Sequence, residues 1–292
     1  METGEGFREH VERLVAEGKL STDEAQELLA PGELEARQMT DPQPGWVELD
    51  AGELPTVGIP ADLHLKIDGY GLQVVFDPGL ARPRLSANRG GELRLWAGPE
   101  GWTVERTGGP RSRTWGLKAV LSLPFVPDAV RAEVNGGNLT LPDVMGEVRL
   151  SVSGGNTRLG RAAGLKAEIS GGNLSSGEIS GGASVRISGG NARLDGAAGV
   201  QATVNGGNFN WSGRLLGGEH RIEVNAGNAT LHLLEGSSVT VQADVTLGGL
   251  MASFPLTKTG GMMQAHYSGT LGSGAAHLGC TVNAGQIRMV SA

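Results

Sequence analysis

The chain has 292 residues, of which 49 are glycine, with few aromatics, modest charge and a formal net charge of −7. No Gly-X-Y triplet runs through it, which excludes a collagen triple helix. No stretch approaches about 18 consecutive apolar residues, so no membrane-spanning helix is expected. Residues 1–36 hold ten acidic and three basic side chains and the remainder 21 of each, so the bulk of the chain is neutral overall and no nucleic-acid partner is expected.

Residues 5–30 read as a helical hairpin. Phe7, Val11, Leu14 and Val15 form one apolar stripe at helical spacing, and Gly18 ends the first helix. Ser21-Thr22-Asp23-Glu24 carries a capping-box signature that opens a second helix bearing Ala25, Leu28 and Leu29, closed by Pro31-Gly32. A segment this short cannot bury enough surface to stand alone. Its stripe must dock on the rest of the chain as an end cap, on a second copy, or on a partner. Phe7, Val11, Leu14, Val15, Leu28 and Leu29 are therefore candidate docking or oligomerisation residues within a domain spanning 1–36. Residues 37–60, with Pro42, Pro44, Pro55 and Pro60, read as a linker in which Trp46–Leu49 is a candidate short strand.

From Leu63 apolar and polar residues alternate, as in strands with one buried face: Leu63/Leu65/Ile67, Leu72/Val74/Phe76, Leu93/Leu95 and Val120/Leu121/Leu123. These segments are irregular in length and rich in arginine, and read as the opening of a β-domain spanning 61–292.

Regular repeats occupy residues 130–235. The corner motif recurs as Asn135–Asn138, Ser153–Asn156, Ser170–Asn173, Ser188–Asn191, Asn205–Asn208 and Asn225–Asn228, its first residues 18, 17, 18, 17 and 20 apart. A fixed period this short predicts a solenoid in which each repeat stacks on its neighbours. The fold class expected is all-β, a right-handed parallel β-helix of about 17–18 residues per coil with a small N-terminal helical hairpin. The residue before each corner (Val134, Val152, Ile169, Ile187, Val204, Val224) forms an aliphatic column, whereas the column three residues after the corner Asn is broken by Ser176. The corner residues Asn138, Asn156, Asn173, Asn191, Asn208 and Asn228 are read as a structural ladder, each side-chain amide bonding to the next coil. Residues 250–292, in which Asn283-Ala284-Gly285-Gln286 restates the corner, read as a C-terminal cap.

The tail, with Phe254-Pro255-Leu256, Ser268–Gly274 and Thr281–Arg288, resembles the C-terminal signature of the bacterial putative-adhesin β-strand-repeat family of unknown function. That family usually has Val-Asn-Gly-Asp-Ile at the last corner, where Ala284 and Gln286 stand here. Residues Leu14–Leu29 are similar to the short helical domain of YvlB/LiaX-type proteins, which commonly precedes this repeat. The resemblance implies a β-helix and an association with bacterial cell-envelope stress, and it carries no catalytic residues to transfer.

No catalytic, cofactor-binding or metal-ligating set stands out. His10, His64, His220, His232, His266 and His277 form no HExxH pair or ligand cluster and read as scattered surface residues. Corner Ser153, Ser170 and Ser188 have no recurring histidine neighbour. Lone Cys280 reads as a small buried hydrophobe. The exposed columns, Arg131, Arg149, Lys166, Ser184, Gln201 and Arg221 beside Glu133, Ser151, Glu168, Arg186, Thr203 and Glu223, are mixed and mutually neutralising, and read as serving solubility and cross-coil pairing rather than a binding site. The function expected is a non-catalytic β-solenoid scaffold or interaction protein whose hairpin mediates self-association, making a homo-oligomer, or docks a protein partner. The alternatives are a self-assembling filament, or an adhesin-like or carbohydrate-binding surface protein. With no signal peptide in the N-terminal stretch, the expected location is cytoplasmic, with at most peripheral membrane contact.

Overall fold

The computed structural model describes residues 5–29, 59–107, 116–261 and 263–292. The linker prediction from 37 to 58, including Trp46–Leu49, lies outside them, as does Pro31-Gly32. The chain divides into two compact units, Met1–Pro142 and Asp143–Ala292, a division that falls inside the stretch 61–292. Strands dominate both units, and within each unit most strand pairings are parallel.

The first unit comprises α1 (Glu5–Ala16), α2 (Thr22–Leu29), β1 (Leu63–Ile67), β2 (Tyr70–Phe76), β3 (Arg84–Ala87), β4 (Leu93–Gly98), β5 (Gly101–Arg106), β6 (Lys118–Leu123) and β7 (Val130–Leu141). β1 lies between β5 and the first half of β7, parallel to both. β2 lies in the same way between β6 and the second half of β7. The strands that come first in sequence are therefore interior. The outer edges of β5 and β6 are covered by antiparallel β4 and β3, which become the edge strands of the unit.

The hairpin packs on this unit. Val11, Leu14, Leu20 and Ala25 are buried together with Val75 of β2 and Val120 of β6, and Val15, Leu28 and Leu29 pack around them. Because β2 and β6 have an inner face and a face under the hairpin, their alternation fails. Val74 and Val75 are both buried, while Phe76, which continues the alternation from Leu72 and Val74, is 39% exposed. The capping box forms reciprocally: Ser21 N–H donates to Glu24 Oε2 at 2.9 Å and Glu24 N–H to Ser21 Oγ at 3.3 Å. Gly18, at φ +69°, ends the first helix.

The second unit comprises β8 (Glu147–Leu159), β9 (Gly164–Ile169), β10 (Asn173–Ile179), β11 (Gly182–Ile187), β12 (Asn191–Gly196), β13 (Gly199–Val204), β14 (Asn208–Gly213), β15 (Gly218–Val224), β16 (Asn228–Leu233), β17 (Val239–Ala252), β18 (Thr257–Gly260), β19 (Ala265–Leu271) and β20 (Ala276–Ser291). Strands two apart in sequence pair in parallel. One column runs from the first half of β8 through β9, β11, β13 and β15. The other runs from the second half of β8 through β10, β12, β14 and β16. The inward residues meet in register: Val152 faces Ile169, then Ile187, Val204 and Val224 follow, all at most 1% exposed. Where Ser176 interrupts the apolar column, the β10–β12 register shifts between Ser175 and Glu178. This bulge takes up the extra residue beside the small side chain.

Residues 250–292 contain two kinds of strand. β20 pairs on one side with β15 and β16 and on the other with β17, so it is interior. The outer strand is β17, whose first half is covered by antiparallel β19 and then β18.

Candidate functional site

The corner asparagines lie where the chain turns from one column into the other. Asn173 Nδ2 donates to Asn156 Oδ1, Asn191 to Asn173 and Asn208 to Asn191, each at 2.8 Å, and Asn228 donates to Asn208 at 3.1 Å. Parallel strands repeat at about 4.8 Å, a spacing that one amide-to-amide bond can bridge once the backbones are in register. Asn138, in the first unit, donates from Nδ2 to Glu27 Oε1 at 2.9 Å and so ties β7 to α2.

A second ladder stands at the first corner position. Asn225 donates to Asn205 at 2.8 Å and Asn283 to Asn225 at 2.5 Å. In the first unit Asn135 donates to Asp68 Oδ1 at 2.9 Å. Sequence reasoning missed this row because the position is serine in three of the six corners (Ser153, Ser170, Ser188), and because Asn283 reaches Asn225 only through the interior placement of β20. All these amides are surface groups, so each bond contributes about 0.5–1 kcal/mol. Asn191→Ala, which removes two rungs, is expected to lower stability by about 1–2 kcal/mol in urea melts. A loss equal to that of an unladdered exposed asparagine such as Asn210 would show the rungs to be inert.

Of the predicted docking residues, Val11 and Leu14 are fully buried in the chain's own first unit, and Val15, Leu28 and Leu29 are half-buried around them. In this arrangement Val11 and Leu14 are not available to a second chain. The Phe7 side chain lies outside the described residues. Polar contacts fasten the hairpin at its rim. Lys19 Nζ meets Asp77 Oδ1 at 2.7 Å, and Lys118 Nζ donates to the Glu27 carbonyl at 2.5 Å. The Lys19 ammonium holds the Asp77 carboxyl below its usual range.

Among the described residues no three His, Cys, Asp or Glu side chains are grouped so as to hold a metal ion. Cys280 is buried in an inward column, and burial pushes its thiol up to about 12, which disfavours the thiolate that nucleophilic chemistry needs. His220 corrects the expectation of scattered surface histidines, being only 4% exposed. It occupies the inward position between Val200 and Leu278. Its Nδ1 accepts the Val200 N–H at 3.2 Å and its Nε2 donates to the Gly217 carbonyl at 3.0 Å, the tautomer this pairing requires. Burial pushes its pKa below the ordinary value. The unfolded chain therefore takes up the proton more readily. The contribution of His220 to stability is present above about pH 6.5, the ordinary value, and is lost as pH falls below it. His220→Gln is expected to flatten that part of the stability profile between pH 7 and 5; an unchanged slope would refute the assignment.

The outer face of β9, β11, β13 and β15 carries the exposed charged columns. The expected cross-coil ion pairs are not what this patch shows: among the described residues Lys166, Glu168, Arg186 and Arg221 lie in no ion pair, whereas Arg149 is paired with Glu147 at 3.0 Å. No described helix is long and apolar enough to cross a membrane.

No protein-family model matches the chain, and no curated protein matches it. Three solved structures align with most of the chain at low identity. One is described as a putative adhesin from Bacteroides fragilis, with 10% identity, a TM-score of 0.40, and 85% of this chain and 98% of that one covered. A second is a putative cell adhesion protein from Clostridium sporogenes, with 14% identity, a TM-score of 0.26, and coverage of 86% and 100%. The third is a putative adhesin from Parabacteroides distasonis, with 11% identity, a TM-score of 0.34, and coverage of 80% and 93%.

Proposed function

We propose that the chain is a non-catalytic interaction protein built on a right-handed parallel β-helix, whose polar outer faces are its recognition surfaces. The observation that carries this reading is the asparagine ladder. The recurrent polar residue of each corner is engaged with its counterpart on the next coil, so the motif builds a rigid scaffold and leaves recognition to the variable outward positions between corners. The hairpin, packed on β2 and β6, supports the role of a built-in cover for the first unit. Incubation with a panel of oligosaccharides and acyl donors is expected to return every compound unchanged. Turnover abolished by a single substitution would overturn the reading.

The association with the bacterial cell envelope rests on the resemblance of Leu14–Leu29 and of the tail. It is tested by fractionating cells that produce the chain: recovery wholly in the soluble cytosolic fraction, with and without envelope stress, would count against it.

A further inference from the structure

We infer that the outer face of β9, β11, β13 and β15 is a binding site for a linear acidic glycan. The inference rests on the outer faces being recognition surfaces. A depression of about 310 Å³ lies on this face. Its cations are Lys166, Arg186 and Arg221, and between them lie the shorter side chains of Ser184, Gln201 and Thr203. The register explains the hollow. Lys166, Ser184, Gln201 and Arg221 follow one another across four neighbouring strands, so two long cations bracket two shorter neutral residues. Arg186 and Thr203 stand in the adjacent outward column.

Four properties define the ligand. The three cations lie in no ion pair among the described residues, although Glu168 is in register beside Arg186. The lining of the depression carries three positive charges and one carboxylate, with Glu219 and Glu223 flanking Arg221 along β15 outside that lining, so the hollow itself favours an anion. The floor offers hydroxyl and amide groups, which match neutral sugar hydroxyls. No aromatic side chain lines it, so nucleobases have no platform on which to stack. Lys166 and Arg221 are three strand spacings apart, about 14 Å, which suits anionic groups carried along a short chain of sugar rings. The parallel sheet holds these groups in place before binding, which lowers the ordering cost of association.

The test is calorimetric titration of the full chain with a β-1,4-linked mannuronic acid tetrasaccharide beside mannotetraose, which differs in lacking the carboxylates. The acidic sugar is expected to bind with an affinity that falls as salt rises, and mannotetraose not to bind. Arg186→Gln/Arg221→Gln is expected to weaken binding at least about tenfold, by removing two charge-assisted contacts, with an unchanged melting temperature; Arg193→Gln, on the β12 face, is expected to leave it intact. Equal binding of mannotetraose, or parental binding by the double variant, would overturn the site. Tighter binding of polyphosphate would overturn its assignment to a glycan. The recovered tetrasaccharide separates the two proposals: cleavage refutes the non-catalytic reading, and absence of binding refutes this site alone.

Discussion

Replacing Gly190 with alanine is expected to lower the stability of residues 143–292 by about 3 kcal/mol, from left-handed backbone strain of about 1–2 kcal/mol plus steric overlap of about 1–3 kcal/mol. Gly190 has φ +86°, where a Cβ crowds its own backbone. That Cβ would also collide with the Gly172 carbonyl of the preceding coil. Retreat is blocked because the same carbonyl accepts the Asn191 N–H at 3.0 Å. The corner repeats: Gly172, Gly207 and Gly227 also have positive φ, and a Cβ on any of them would meet the carbonyl of the coil before. Gly199 supplies the control, since a Cβ there would meet nothing within 4 Å. Urea unfolding of Gly190→Ala and Gly199→Ala should separate the two by most of the predicted loss. Equal stabilities would show that coil stacking does not require the glycine.

Leu14→Asp is expected to unseat the hairpin. Leu14 is fully buried beside Val75 and Val120, and replacing such a leucine forfeits about 2–5 kcal/mol of packing, with an unpaired carboxylate adding to the loss. The polar fastenings cannot compensate: Lys19 on the buried Asp77 and Lys118 on the Glu27 carbonyl lie at the rim of the hairpin and refill none of the apolar space that Leu14 vacates. Proteolysis should then cut within residues 5–29 far faster than in the parent chain. Solution mass discriminates between the hairpin as a cover of its own unit and the hairpin as a joint between copies. If it covers its own unit, the variant keeps or raises its mass, because Val75 and Val120 become exposed. If it joins chains together, the mass falls. A falling mass would replace the cover with an assembly module.

The features readable from the residues alone are the ones the chain repeats locally. The glycine corners, the aliphatic column from Val134 to Val224 and the row of corner asparagines recur because every coil must make the same turn with the same inward side chains. The capping box at Ser21 and Glu24 lies within one helical turn and needs no partner. What tertiary structure alone decided concerns neighbours distant in sequence. Periodicity does not reveal that β1 and β2 sit inside β5 and β6, or that β20 slips between β16 and β17, because all these strands carry the same alternation. Val75 looks outward-facing until the hairpin covers it. His220 looks like a scattered histidine until Val200 and Gly217, on either side of its ring, give each nitrogen a partner. Lys166, Arg186 and Arg221 seem balanced by nearby carboxylates in a count of charges. Only the register places them around one depression, with side chains that meet no counter-ion among the described residues. Burial and pairing depend on which strand lies alongside, and that is fixed by long-range stacking.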